Sequence, residues 1–315
     1  MIEIAILIPC YNEELTIKKV IDDFTLALPQ AIVYVYDNNS TDNTALIAKQ
    51  SGAIVVKEVK QGKGNVIRSM FRDIDAKCYL MIDGDDTYPS EYANEMVYSI
   101  LTKKNDIVIG DRLSTTYFSE NKRAFHNLGN KIVRKTINFL FNSDIKDIMT
   151  GYRAFSYRYV KSFPVITHGF EIETEMSIHT LDKNLYIDNI EVDYRDRPLG
   201  SESKLNTYSD GIKVIMTIFK LFKNYRPLAF FSIIAAILFT ISLAFIVPVI
   251  IEYFDTKLVL RFPTLMFGLV ILLLSFLMFT NGLLLDNVAA KDKRDFEMRL
   301  IDIQHRLIDD KYEDN

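Results

Sequence analysis

Apolar residues in the first half of the chain come in short dense runs, each followed by a polar stretch that opens a helix-period pattern. Residues 2–8 are rich in isoleucine and read as a buried strand. Pro9-Cys10-Tyr11-Asn12-Glu13-Glu14 comes next, with Asn12 a good N-cap and the two glutamates suited to a first helical turn. The helix runs to about residue 28, with Ile17, Val20, Ile21 and Phe24 on one face, and Pro29 stops it. Strands over 32–36, 53–56, 79–82 and 107–110 alternate with helices over 45–50, 66–74 and 92–101. Such alternation predicts a mainly parallel sheet with crossover helices, a Rossmann-like α/β fold. Further on, the pattern predicts a helix over 125–141, another ending near 181, and a strand over 186–192.

The last third has a different texture. Residues 208–227 place Ile212, Ile215, Met216, Phe219 and Phe222 at helical spacing, with Lys213, Lys220 and Lys223 on other faces. That is an amphipathic helix fit for a lipid interface. Residues 228–251 and 262–285 carry no charge, and each run is long enough to span a bilayer. Residues 286–315 form a charged tail, with Phe296, Leu300, Ile303 and Leu307 in helical register. Lys220, Lys223 and Arg226 precede the first span; Lys291, Lys293 and Arg294 follow the second. The positive-inside rule therefore puts both termini and a globular domain over 1–207 on the cytoplasmic side. The absence of ionisable residues in both spans argues against a transporter. The two spans and the amphipathic segments leave a homo-oligomer open.

Composition adds little. A net charge of −4 over 315 residues gives no sign of a nucleic-acid partner. Cys10 and Cys78 fall in predicted strands and read as core residues of a reducing compartment. The N-terminus opens on a strand, so no signal peptide is expected.

Chemistry gathers around Met81-Ile82-Asp83-Gly84-Asp85-Asp86-Thr87-Tyr88-Pro89. A buried run ends there in three carboxylates around one glycine, at the strand end where open α/β sheets bind ligands. Asp83 and Asp85 are two apart and would face the same way on an extended backbone. Two facing carboxylates suit Mg²⁺ or Mn²⁺ that also holds substrate phosphates. Asp37 ends the second strand and shares that sheet edge. The polar run 37–44 exceeds what capping the next helix requires, and either caps it redundantly or grips a ribose and base. Gly62-Lys63-Gly64 precedes a helix, which suits a phosphate with Lys63 as a point charge, though the spacing is not that of a Walker loop. Residues 195–204 are dense in phosphate-binding types, or else form a flexible basic loop.

In series, Pro9 through Glu13, Asp37 through Asp42, Gly62-Lys63-Gly64, Asp83-Gly84-Asp85, Asp111-Arg112, Asp147 through Arg153 and Gly200 through Lys204 resemble the family 2 glycosyltransferases. Within them the chain is similar to bacterial polyprenyl-phosphate glycosyltransferases, relatives of dolichyl-phosphate mannose synthase. The resemblance covers about residues 2–205, and two C-terminal spans fit one branch of the family. It implies a GT-A nucleotide-sugar-binding fold and inverting transfer of one sugar, glucose or N-acetylglucosamine, from a UDP-sugar to undecaprenyl phosphate. The place implied is the cytoplasmic face of a bacterial membrane. By match, Pro9, Tyr11, Glu13 and Asp37 would hold the nucleoside, with Lys63 also on the donor side. Asp83 and Asp85 would hold Mg²⁺ or Mn²⁺; Arg197, Ser203 and Lys204 the donor phosphates; Arg112 and Arg123 the acceptor phosphate. Asp147 matches the position of a base, or is a structural acid orienting Arg153.

The chain departs from its relatives at Thr87, where similar enzymes often carry a glutamine, and at Asp37-Asn38, where many have two aspartates. It has no tryptophan, so it lacks the Gln-X-X-Arg-Trp motif of polymer synthases. Two other readings stand beside this one: a similar enzyme acting on a hydroxyl lipid such as diacylglycerol, and a non-catalytic nucleotide-binding scaffold.

Overall fold

A computed structural model describes residues 1–114, 134–169, 171–195, 219–220 and 222–313. Contacts divide the chain into one unit made of Met1–Gly211 with Phe296–Asn315, and a second of Ile212–Asp295.

The first unit is built on a seven-stranded sheet: β1 (Ile2–Cys10), β2 (Ile32–Asp37), β3 (Ile54–Lys57), β4 (Ala76–Met81), β5 (Ile107–Asp111), β6 (Arg153–Ser156) and β7 (Ile187–Glu191). The spatial order is β3-β2-β1-β4-β6-β5-β7. β3, β2, β1 and β4 run parallel, as do β5 and β7. β6 lies antiparallel between β4 and β5, with Arg153 opposite both Met81 and Ile109. The sequence pattern does not predict β6, because it is short and begins with a charged residue. That strand decides the geometry of the site. β4 and β5 point the same way, so the ends of β1, β2, β4 and β5 share one edge with the start of β6.

Strand alternation sends successive side chains to opposite faces. Ile4, Ile6 and Ile8 pack with Ile17, Val20, Ile21 and Phe24 of α1 (Ile17–Ala27) and with Met96, Val97 and Ile100 of α4 (Ala93–Leu101). Each such fully buried side chain is worth about 1.5–3 kcal/mol of transfer from water. On the opposite face, Phe71 of α3 (Lys63–Asp73) meets Tyr79 and Phe155 edge-on or tilted, with centroids 6.4 and 5.5 Å away. The remaining helices of this unit are α2 (Thr44–Gln50), α5 (including residues 134–141), α6 (Tyr157–Ser162) and α7 (Ile172–Asp182).

Asn12 does not cap α1, whose N-cap is Thr16. Asn12 sits at φ +54°, a conformation Asn tolerates better than most residues. Its backbone N–H donates to Ser40 Oγ at 2.9 Å, and its Oδ1 accepts from the Thr41 N–H at 2.8 Å. Glu13 N–H donates to Thr44 Oγ1 at 2.8 Å and Glu14 N–H to Asp42 Oδ2 at 3.2 Å. The surplus of capping residues in 37–44 thus serves to tie the loop after β2 to the loop after β1.

In the second unit, α8 (Pro227–Thr256) and α9 (Phe262–Glu313) are each long and apolar enough to cross a membrane. Ser242 Oγ donates to Gly268 O and Ser275 Oγ to Ala235 O, both at 2.9 Å. A Cβ on Gly268 would stand 2.6 Å from Ile246 Cγ1, the close backbone approach that small residues allow between helices in lipid. The sequence suggests a separate tail helix after the second span; instead α9 continues without a break. Residues 286–291 hold neither Gly nor Pro to end it. From Phe296 onward α9 belongs to the first unit. There the Phe296 ring meets His179 edge-on at 5.2 Å and lies under the Lys183 ammonium at 5.5 Å.

Candidate active site

The shared sheet edge brings together residues far apart in the chain. β1 and β2 are in register with Cys10 opposite Asp37, and Ile82 N–H continues the ladder to Leu7 O at 3.1 Å. Pro9, Tyr11, Glu13, Asp37, Asp83 and Asp85 therefore all leave their strands on the same side. Burial pushes the Cys10 thiol well up, and the charges of Glu13, Asp37, Asp83 and Asp85 add to the effect, so four carboxylates surround this thiol. Asp37 is buried and both its oxygens accept from the Ser40 N–H at 3.3 Å.

β4 ends at Met81, so the carboxylates lie on a turn and not on the extended backbone that their spacing suggests. Asp86 takes a left-handed φ of +58° and pairs with Lys19 at 2.7 Å, which turns it away from Asp83. Asp83 Oδ1 accepts from Lys63 Nζ at 2.5 Å. Asp85 is buried, and its Oδ1 accepts from Thr87 Oγ1 at 2.7 Å. Thr87, which stands where relatives have glutamine, thus orients the second carboxylate. A Cβ on Gly151 would collide with the Asp83 carboxylate, so glycine there gives Asp83 its room.

Lys63 does not lie where its motif suggests. Gly62 N–H donates to Asn38 Oδ1 at 2.7 Å and Gly64 N–H to His168 O at 3.1 Å. A Cβ at either glycine would strike the backbone of Thr167 or His168. The two glycines permit close packing, and these N–H groups are spent on protein acceptors, not left for a phosphate. The Lys63 ammonium reaches Asp83 and, at 2.6 Å, Glu173 Oε1 of α7. Burial works to lower its pKa, but the two carboxylates outweigh that and hold it above the ordinary lysine value.

Asp147 is buried, and its partner is Arg112 rather than Arg153. Arg112 Nε donates to Asp147 Oδ2 at 2.8 Å, and Arg112 Nη2 donates to Met149 O at 3.1 Å. Asp147 Oδ1 accepts from the Met149 N–H at 3.1 Å. Arg153, fully buried, donates instead to Thr150 O, Ile148 O and Ser177 Oγ. Burial lowers its pKa. The sequence does not single out Tyr88, whose hydroxyl accepts from the Gly151 N–H at 2.9 Å. Its burial raises the phenol's pKa. Tyr88 joins the Asp83 turn to the 147–153 segment, and Tyr194 lies against both Tyr88 and the Arg112 guanidinium. Arg195 N–H donates to Thr87 O at 3.1 Å, so β7 leads to the Asp85 turn just before Arg197. Arg123, Arg197, Ser203 and Lys204 lie outside the described residues.

The donor set fits a hard divalent cation. Among the described residues no three Asp, Glu, His or Cys side chains form a closed cage. Two aspartates on one turn, inside a ring of negative charge, suit Mg²⁺ or Mn²⁺ that completes its shell with water and phosphate oxygens.

A glycosyl transferase family 2 model matches residues 5–163, and the chain belongs to that family. It is a glycosyltransferase with a mixed seven-stranded α/β sheet and two long apolar C-terminal helices. Glycosyltransferase AglJ of Haloferax volcanii is 35% identical over 230 residues, 73% of this chain and 75% of the relative. A dolichyl-phosphate hexose transferase of the same organism is 27% identical over 218 residues, 69% of this chain and 93% of its own. The fold is that of glucosyl-3-phosphoglycerate synthase from Mycobacterium tuberculosis, solved with Mn²⁺, UDP-glucose and phosphoglyceric acid. That structure matches with a TM-score of 0.55 at 23% identity, over 70% of this chain and 79% of that one.

Proposed function

We propose that the chain transfers one sugar, glucose or N-acetylglucosamine, from a UDP-sugar to undecaprenyl phosphate, with inversion, at the cytoplasmic face of a bacterial membrane. The observation that carries this reading is the buried Asp147–Arg112 pair at the same sheet edge as the Asp83 turn. It fixes a guanidinium, the side chain best shaped to take a phosphate in two parallel bonds, beside the carboxylates that would take a cation. The relative named as a dolichyl-phosphate hexose transferase and the two apolar helices support a polyprenyl-phosphate acceptor. The solved complex with UDP-glucose and Mn²⁺ supports the donor class and the metal.

Pro9, Tyr11, Glu13 and Asp37 hold the nucleoside at the ends of β1 and β2. Asp83 and Asp85 hold a Mg²⁺ or Mn²⁺ ion, which when bound neutralises charge developing on the departing diphosphate. Arg197, Ser203 and Lys204 bind the donor phosphates, and Lys63 acts on the donor through Asp83. Arg112 and Arg123 bring the acceptor phosphate in line with the anomeric carbon. A phosphate monoester has a second pKa of about 6 and is mostly a dianion at pH 7. Its oxygen attacks without losing a proton to the protein. Asp147, accepting from Arg112 and Met149, positions the arginine and takes no proton. Residues 1–207 and the tail face the cytoplasm, and residues 208–227 lie along the interface, holding the crevice at headgroup level.

The test is a donor panel on the full chain in detergent, with undecaprenyl phosphate, Mg²⁺ or Mn²⁺, and radiolabelled UDP-glucose, UDP-N-acetylglucosamine, UDP-galactose or GDP-mannose. Chloroform-soluble label from one UDP-sugar, lost in Asp85→Ala, is expected. Label from none of them, with UDP still bound, would favour a scaffold or another acceptor.

A further inference from the structure

Glu173 is a first-turn residue of α7, and acids are common there because they complement the helix dipole. Such residues normally stand in water. The Glu173 side chain is only 6% exposed, and its Oε1 is 2.6 Å from the Lys63 ammonium, which also bonds Asp83. A helix-dipole role does not account for that burial, and a buried carboxylate is retained against a large desolvation cost only when paired.

We infer that Glu173 sets the cation affinity of the site by sharing Lys63 with Asp83. The inference rests on the reading of Asp83 and Asp85 as cation ligands. If Lys63 had Asp83 as its only partner, the two charges would cancel, and the site would present Asp85 as its single uncompensated ligand. With Glu173 opposite, the buried set of Asp83, Lys63 and Glu173 keeps one net negative charge. Together with Asp85 the charge is then matched to a divalent ion. Lys63 meanwhile holds the Asp83 oxygen in place, and Gly151 leaves it room. Glu173 is thus a positioning residue that acts through Lys63 and touches no substrate. The Gly-Lys-Gly motif acquires a purpose that its glycines do not reveal. They let α3 pack on the 167–168 backbone, close to the first turn of α7 that carries Glu173.

The experiment titrates Mn²⁺ into the full chain in detergent with UDP present and reads free Mn²⁺ by electron paramagnetic resonance. Four proteins are compared: wild type, Glu173→Gln, Lys63→Met, and the two together. Circular dichroism monitors folding. Interaction of one charge with a divalent ion across a partly buried site is worth roughly tenfold or more in affinity. Glu173→Gln is expected to weaken Mn²⁺ binding by about that factor, and Lys63→Met to tighten it. The double variant, which restores one net negative charge, is expected to return close to wild type. A structural role for Glu173 predicts no such rescue, since the double variant removes more packing than either single one. Wild-type affinity in Glu173→Gln, or a double variant no tighter than Glu173→Gln, would overturn the inference. If either single variant misfolds, the other still tests the sign. A wild-type protein that binds no Mn²⁺ would overturn the metal reading itself, and this inference with it.

Discussion

At the residue scale, the site depends on a few side chains held by short polar contacts. Asp147 is buried against Arg112, so its function is read from what it orients. Asp147→Asn is expected to cut kcat/KM by up to about 100-fold, the loss typical of a misplaced group, while the shape of the pH–rate profile stays the same. A missing basic limb in that profile would instead mark Asp147 as a base. Gly151→Ala drives a methyl into the Asp83 carboxylate. It is expected to weaken Mn²⁺ binding in the presence of UDP while leaving circular dichroism unchanged. Unaltered binding would show that Asp83 has more freedom than its surroundings imply. The carboxylate pair, Asp37 and Arg112 were legible in the sequence because strand ends in an α/β sheet converge on one edge. Tyr88 and Glu173 were not, since one resembles core and the other an ordinary helix-opening acid. Their part follows from β6 and α7 folding back onto the Asp83 turn, and chain spacing does not encode that.

At the scale of elements, periodicity located β1 to β5, α1 to α4 and β7 within a few residues. It failed where tertiary contacts replace local rules. Asn12 has the residue type of an N-cap and in fact ties the loop after β1 to Ser40 and Thr41. Asn12→Ala removes both that tie and a residue that tolerates positive φ. A loss of about 1–2 kcal/mol is expected, read as a lower midpoint in denaturant. Asn12→Asp, which keeps the acceptor, is expected to lose less. Equal losses in the two variants would rule out the hydrogen bond as the cause. β6 escaped detection because Arg153 opens it, and this arginine is satisfied by Ile148 O, Thr150 O and Ser177 Oγ rather than by solvent. A four-residue strand with a buried charge has no period to recognise.

At the scale of the whole molecule, a nucleotide-sugar fold is joined to two apolar helices, and the account places the crevice at a membrane surface. Full-length chain is expected to stay in the membrane pellet after washing with alkaline carbonate; release into the wash would contradict spanning. Burial raises the thiols of Cys10 and Cys78, so both are expected to resist maleimide in the folded protein. A cysteine at Lys257, in the link between α8 and α9, is therefore expected to react with an impermeant maleimide in intact cells. One at Glu191 is expected to react only after lysis, and the reverse pattern would invert the orientation. The central claim is that the sugar is joined to a lipid phosphate. It is tested most directly by treating the labelled lipid product with mild acid. A sugar linked through its anomeric carbon to phosphate is released as free sugar under conditions that a glycoside of a hydroxyl lipid survives. Release of the label, leaving undecaprenyl phosphate, is the result predicted. A label that stays with the lipid would mean a hydroxyl acceptor, and would return Asp147 to the role of a base.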